Sequence, residues 1–177
     1  MRRFRNHGGI MGRTGHHRTG LAAGFLVAAA CWHAMGLAAL FAVPFGWFGG
    51  TAPDWLEIAH SEPAPPRPWD GGKRKWVRVS VIPHRTITHW WPLWSLLACA
   101  VFLVALPPAP RMMLAGFAAG GIMHLLMDVP NPSGIPILTP RSRFGFGWWK
   151  SGHAREPATG LLMAMGAGLV FWVRIHL

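Results

Sequence analysis

The sequence has no tyrosine, two cysteines and only six acidic residues among its 177. Charged residues form 13% of the chain, about half the share of roughly 25% that is usual for soluble domains. This scarcity of charge argues against an ordinary soluble domain. Cys31 and Cys99 both lie in apolar stretches, so we expect small buried residues and not a disulfide framework.

Long apolar stretches are abundant in the sequence. Four stretches stand out, at residues 21–48, 90–106, 112–127 and 160–173. The last three are each about one bilayer crossing or slightly less, and the 22 glycines and 11 tryptophans are typical of membrane helices and their interfaces. We therefore expect residues 1–177 to form a single all-α domain, an integral membrane helical bundle.

The stretch 21–48 is too long for one straight crossing, because 28 helical residues span about 42 Å against a hydrocarbon core of ~30 Å. His33 and Gly36 lie near its middle, where a helical hairpin would turn. A hairpin places fifteen of the 17 basic residues on one face, whereas a single crossing divides them seven to ten. The positive-inside rule favours the hairpin, followed by two or three further membrane helices, with the basic face cytoplasmic.

Three segments outside these stretches are expected to be irregular: a basic N-terminal tail (1–18), a Pro-rich and basic loop (59–82) and a Pro/Gly-rich loop (129–157). Residues 76–82 alternate enough for a short strand, but the segment is too short to assign. The net charge of +11 fits loops beside anionic lipid better than a nucleic-acid surface, so membrane lipid is the expected partner and nucleic acid is not.

The few ionisable side chains fall beside the ends of the apolar stretches, where burial is costly and function is the default interpretation. His124 and Asp128 lie four residues apart, so both leave one helix face and can hold a cation between them. A plain hydrogen-bonded pair is the alternative. Imidazole nitrogen with carboxylate oxygen suits zinc or a similar divalent cation.

The segment that precedes the stretch 90–106 adds two imidazoles, His84 and His89, at the mouth of the next helix. Arg85 lies between them and is a candidate for holding an anion. An interfacial basic loop is the alternative interpretation of this segment.

Asp54 and Glu57 follow the first apolar stretch, with a spacing that also fits a helix-capping pair. His16 and His17 precede that stretch, and one of the two is a candidate ligand. In the hairpin topology all of these side chains lie on the basic face.

The order of these motifs resembles the YdjM-like family of bacterial inner-membrane proteins, which are described as membrane-bound metal-dependent hydrolases. That family is distantly similar to zinc-dependent phospholipase C and to single-strand nucleases of the P1 type, whose His and Asp side chains bind metal on an all-helical fold. The resemblance spans residues 15–150 and implies a multi-pass protein of the bacterial inner membrane. The implied metal ligands are His16, Asp54, His84, His89, His124 and Asp128.

The sequence departs from that pattern at two places. Where the zinc phospholipases have further ligands after the His-x-x-x-Asp pair, this chain has Pro130, Asn131 and Pro132, so one or two ions are expected and not three. Where many relatives have Asp-x-Asp-His after the Pro, this chain has Asp54-Trp-Leu-Glu57, and we expect Glu57 to stand in for the second carboxylate as general base or bridging ligand.

The expected function is metal-dependent hydrolysis of an ester or phosphoester, such as a phospholipid, at the cytoplasmic membrane face. Glu57 and Arg85 are the expected catalytic residues, and Arg85 with Arg143 is expected to hold a phosphoryl charge. The alternative is a non-enzymatic membrane protein that binds metal or anionic lipid, or a metal transporter.

Overall fold

The computed structural model of the protein describes residues 10–64, 76–148 and 155–177. Within these ranges the chain is mainly helical. The elements in chain order are α1 (Ile10–Met35), a 3₁₀ helix (Gly36–Phe41), α2 (Ala42–Gly49), α3 (Ala52–Trp55), β1 (Ala59–Pro63), β2 (Trp76–Ser80), a second 3₁₀ helix (Ile87–His89), α4 (Trp91–Leu103), α5 (Pro108–Asp128) and α6 (Arg155–His176).

The first apolar stretch folds back on itself at Gly36. This residue has a φ of +53°, in the left-handed region that favours glycine, and it separates α1 from the returning segment. The two arms pack closely, since a Cβ built on Gly20 would lie 2.4 Å from the carbonyl oxygen of Gly46. The chain therefore reverses within the predicted interval 33–36 and forms a helical hairpin.

Helix α5 packs against this hairpin and carries half of the site described below. A Cβ on Gly120 would lie 2.2 Å from the Gly46 carbonyl oxygen, so the backbones of α2 and α5 are also in close contact. On another side of α5, the indole of Trp94 from α4 lies directly over Gly121. At these glycine positions the helices are so close that there is no space for a side chain larger than hydrogen.

The contacts fix the helix directions. Helix α6 runs alongside α1, with Gly160 near Thr19 and Phe171 against Trp32. Helices α1, α4 and α6 therefore run away from one end of the molecule, while α2 and α5 run towards it. We call this the site end; α1 begins there, and Asp128 ends α5 there. Gly36 lies at the opposite end.

Two helical segments are long and apolar enough to cross a membrane by length and composition, Arg13–Gly49 and Pro157–His176. The first contains the bend at Gly36. Helix α4 has 13 residues, fewer than the ~20 that a straight crossing needs. Of the further membrane helices expected after the hairpin, α6 meets this test within the described ranges.

The all-α prediction is wrong for the segment after α3. Strands β1 and β2 form an antiparallel two-stranded sheet in which Ala59 pairs with Ser80 and Pro63 with Trp76. Valines and a tryptophan favour the extended backbone of β2, but five residues are too few to assign from sequence.

The predicted irregular segments are described only in part. Residues 1–9 of the basic tail, 65–75 of the Pro-rich loop and 149–154 of the third segment lie outside the described residues. Helix α6 begins at Arg155, so the irregular segment predicted to reach residue 157 ends earlier. The prediction of two buried cysteines is also wrong, because Cys31 is half-buried and Cys99 is exposed on α4.

Candidate metal centre

Three elements bring imidazole and carboxylate groups together at the site end. Asp54 comes from the single turn of α3, and His89 ends the second 3₁₀ helix. His124 and Asp128 occupy the last turn of α5, where their spacing places both side chains on one face. Helix packing, and not local sequence, brings these segments into contact.

Four donor atoms converge, and we call them the ligand quartet: His89 Nε2, His124 Nε2, Asp54 Oδ1 and Asp128 Oδ2. The two imidazole nitrogens are 3.3 Å apart. Asp54 Oδ1 lies 3.5 Å from the nitrogen of His89 and 3.9 Å from that of His124. Asp128 Oδ2 lies 3.8 Å and 3.6 Å from the same two nitrogens.

These separations fit a first-row divalent cation. Ligands bound tetrahedrally at 2.0–2.1 Å, as zinc prefers, stand about 3.3–3.4 Å from one another. Five of the six separations within the quartet are 3.3 to 3.9 Å, close to those between atoms that share one ion. Two nitrogens and two oxygens also form a donor set that zinc accepts.

The second nitrogen of His124 shows which tautomer the ring adopts. His124 Nδ1 lies 2.8 Å from the carbonyl oxygen of Gly50. A carbonyl can only accept, so Nδ1 carries the proton and donates it. The lone pair of Nε2 therefore faces the quartet, which is the arrangement that metal-binding histidines require.

Glu57 orients His89 in the same way. Its Oε1 lies 3.3 Å from His89 Nδ1, on the opposite side of the ring from the quartet. The carboxylate is fully buried and also accepts bonds from His84 Nδ1 at 2.8 Å and from the Arg85 amide at 3.0 Å. The structure therefore places Glu57 behind His89, on the side of the ring away from the quartet.

The electrostatics of this pair reflect the same contacts. Burial raises the pKa of the Glu57 carboxyl, but the hydrogen bonds from His84, His89 and the Arg85 amide outweigh it and lower the pKa to about 2. Burial lowers the pKa of His89, but its hydrogen bonds with Asp54 and Glu57 outweigh burial, so the net shift is upward. His89 thus sits in a field that strongly favours positive charge.

Asp54 is the accessible member of the quartet. Its side chain is 27% exposed, whereas those of His89, His124 and Asp128 are at most 3% exposed. Burial raises the pKa of Asp54, but the hydrogen bond from His89 and the nearby imidazoles outweigh it, so the carboxyl stays ionised. A ligand would enter the centre past this residue.

The choice between His16 and His17 is resolved by their surroundings. The ring of His16 stacks on His124 at 3.8 Å, and its Nε2 lies 3.8 Å from Asp128 Oδ1. His17 instead stacks on Trp47 and meets the carbonyl of that residue. His16 is therefore the one beside the cluster, although it faces the other oxygen of Asp128.

His84 lies at the edge of the cluster. Its Nδ1 contacts Glu57, and its side chain is 55% exposed. Ligand atoms of Asp54, His84 and His89 lie within 4.8 Å of one another. The geometry favours His84 as a partner of Glu57 over a direct ligand.

Arg85 is not presented to solvent as an anion-binding residue would be. Its guanidinium is buried, with Nη2 at 2.9 Å from Asp128 Oδ1, and Nη1 donates to Ser133 Oγ and to the Gly134 carbonyl oxygen. Arg143 Nη1 in turn donates to the carbonyl oxygen of Arg85. Arg143 is exposed, so of the two predicted phosphoryl-binding arginines it is the more accessible.

Sequence reasoning missed the backbone and hydroxyl partners of the site. Gly50, Ser133 and Thr88 contact a ligand or an orienting residue, but no spacing in the sequence marks them. A carbonyl that orients a histidine 74 residues away becomes visible only once the hairpin is packed against α5.

Comparison with known proteins agrees with the resemblance noted in the sequence. A family model described as YdjM inner membrane protein matches residues 11–175. No curated protein and no solved structure matches the chain significantly. The distant similarity to zinc phospholipases and single-strand nucleases therefore stays a prediction.

Proposed function

The chain belongs to the YdjM inner membrane protein family, and we propose that it is a membrane-bound metal-dependent hydrolase of an ester or phosphoester. The observation that supports this most is the ligand quartet, two imidazole nitrogens and two carboxylate oxygens at ion-sized separations. The partial exposure of Asp54 adds that the centre can be reached from outside. A catalytic centre needs such access, because one coordination position must stay open.

The residues around the quartet fit one divalent cation, with zinc the best match to the donor set. When bound, such an ion supplies Lewis acidity and lowers the pKa of coordinated water towards neutrality. The Gly50 carbonyl and the Glu57 carboxylate hold the two imidazoles with their lone pairs towards the ion. Arg85 fixes the carboxylate of Asp128.

The surroundings of the site favour an anionic substrate. Arg143 and the exposed ring of His84 lie at its outer side and can face a phosphoryl or carboxyl oxygen. Lipid headgroups are the substrate class closest to a centre at the end of a membrane bundle.

We propose a multi-pass topology with the site end on the cytoplasmic face of the inner membrane. Arg111 lies in the first turn of α5 and Arg174 in the last turn of α6, both at the end opposite the site. Of the described basic residues, Arg13 and Arg18 near the start of α1 and Arg85 beside Asp128 lie at the site end, as the positive-inside rule requires of a cytoplasmic face.

The rival is a non-enzymatic centre that stabilises the bundle or binds anionic lipid. The burial of His89, His124 and Asp128 favours it, since structural metal sites are closed. A transporter is less favoured, because its ligands would lie near the bilayer midplane, whereas this cluster lies at one end of the helices.

Metal analysis of purified protein tests the centre itself. We expect about one equivalent of zinc in the wild type and loss of it in His124→Ala and Asp128→Ala. His176→Ala is the matched control, because that histidine is exposed at the far end of α6 and contacts only its own helix turn and Trp172. Wild-type protein that purifies without metal and does not take up zinc would overturn the proposal.

A second experiment separates enzyme from structural site. Metal-loaded protein is offered phospholipid vesicles and soluble phosphodiesters, and we expect chelator-sensitive hydrolysis that is lost in Asp54→Ala. In the cobalt-substituted protein an enzyme should show an exchangeable water ligand. Tight metal binding with no turnover and no exchangeable water would leave the structural role in its place.

A further inference from the structure

The two oxygens of Asp128 face different groups. Oδ2 belongs to the ligand quartet, whereas Oδ1 lies 2.9 Å from Arg85 Nη2 and 3.8 Å from His16 Nε2. In hydrolases with two metal ions a carboxylate often spans both ions, which stand about 3.5–4 Å apart. Here the position beside Oδ1 is taken by a guanidinium.

A second ion would otherwise find ligands at this position. His16 Nε2 and Asp128 Oδ1 are 3.8 Å apart, a separation of the same size as those in the quartet. The ligand atoms of His16, His124 and Asp128 lie within 4.8 Å of one another, and all three residues are buried. The donors for a second ion are thus partly assembled, and what opposes it is Arg85.

We propose that Arg85 takes the place of a second metal ion beside Asp128 and so limits the centre to one ion. The guanidinium puts a positive charge on the side of Asp128 that a second dication would occupy. A divalent ion at Oδ1 would lie within about 4 Å of the guanidinium, where like charges in a poorly hydrated site repel strongly. This inference rests on the proposed metal centre.

The chain holds Arg85 in place from three sides. Its backbone has a φ of +56°, which is uncommon for a residue with a side chain, and its amide donates to Glu57. Its guanidinium is anchored by Ser133 and by the Gly134 carbonyl, while Arg143 donates to its carbonyl oxygen. These contacts make Arg85 a positioning residue that directs Asp128 Oδ2 towards the quartet.

The test is the metal content of the full-length protein at saturating zinc. We expect one equivalent in the wild type and about two in Arg85→Ala, with a metal–metal distance of about 3.5–4 Å by X-ray absorption. Arg85→Lys should keep one equivalent because the positive charge remains. Arg141→Ala is the matched control, since it removes an exposed arginine from the segment after α5, and it should also keep one.

A double variant identifies the ligands of the added ion. Arg85→Ala combined with His16→Ala should return the content to one equivalent. Should Arg85→Ala fail to fold, Arg85→Met keeps much of the packing without the charge and carries the same expectation. One equivalent in folded Arg85→Ala or Arg85→Met, or two tight equivalents in the wild type, would overturn the inference while leaving the metal centre intact. No zinc in the wild type would instead overturn the proposed centre.

Discussion

Replacing Glu57 by Gln is expected to weaken zinc binding by about 10–100-fold, the range usual for residues that orient a metal-bound histidine. The carboxylate has two oxygens, and together they receive hydrogen bonds from His84, from the Arg85 amide and from His89. An amide offers one oxygen and adds an NH₂ that cannot accept. At least one donor must therefore lose its partner. His89, at 3.3 Å, is held less closely than His84 at 2.8 Å and the Arg85 amide at 3.0 Å.

The size of the effect follows from the same contacts. A 10–100-fold loss corresponds to about 1.4–2.7 kcal/mol in the free energy of zinc binding. Loss of one charge-assisted hydrogen bond accounts for about 1.5–3 kcal/mol, so one broken bond to His89 is sufficient. A direct ligand should cost more, because its removal leaves a coordination position unfilled.

The measurement is competition for zinc with a chromogenic chelator. Glu62→Gln is the matched control, since Glu62 is also hydrogen-bonded to a histidine, His60 at 2.8 Å, but lies exposed on the sheet. That variant should bind zinc as the wild type does. If Glu57→Gln keeps the wild-type affinity but loses hydrolysis, Glu57 acts in the chemistry and the orienting role is refuted.

Three further predictions follow from the packing, the topology and the charge of the site. Gly120→Ala should destabilise the fold by about 1–3 kcal/mol and weaken zinc binding, because its Cβ would lie 2.2 Å from a carbonyl oxygen of α2. Thermal unfolding measures the loss, with Gly166→Ala as the control because Gly166 has open space around it. In a cysteine-free background, single cysteines at Ser61 and Leu37 should label from opposite membrane faces in intact cells, and labelling from one face would contradict the hairpin. Zinc affinity should fall as pH decreases, and the loss should begin above pH 6.5, because the pKa of His89 is raised and a proton on His89 displaces the metal. Zinc titrations at pH values from 8 to 5.5 measure this loss.

The sequence predicts the hairpin and the end of the bundle at which the site lies, because both depend on the length of apolar stretches and on the number of basic residues between them. Apolar length, basic residues and one flexible glycine at position 36 are enough to place the reversal. The spacing of His124 and Asp128 on one helix face is equally local. The two-stranded sheet is not predictable in the same way, since each strand has five residues and is stabilised by its partner.

The roles of residues within the site could not be predicted, because they depend on which side of a ring each partner occupies. Glu57 and Asp54 are both carboxylates near His89, yet one faces Nδ1 and the other Nε2. Arg85 lies in a basic segment that suggests anion binding, but the backbone turns its side chain inward onto Asp128. Such distinctions require the orientation of side chains about 30 to 40 residues apart in sequence.

The glycines that allow close helix packing also contribute to the chemistry of the site. Gly50 lies where α2 ends, and a Cβ on it would meet the His16 carbonyl oxygen at 2.3 Å, so α1 and α2 are in backbone contact there. That contact leaves the Gly50 carbonyl directed at His124. His124 lies within hydrogen-bond distance of this carbonyl because Gly120, one turn earlier on α5, lets α5 pack closely against α2. A larger residue at either glycine would move a hydrogen-bond acceptor away from an imidazole that must keep one tautomer to bind metal. Helix packing and metal ligation are therefore coupled in this protein, and loss of affinity in Gly120→Ala without any change in the ligands themselves would be the direct sign of that coupling.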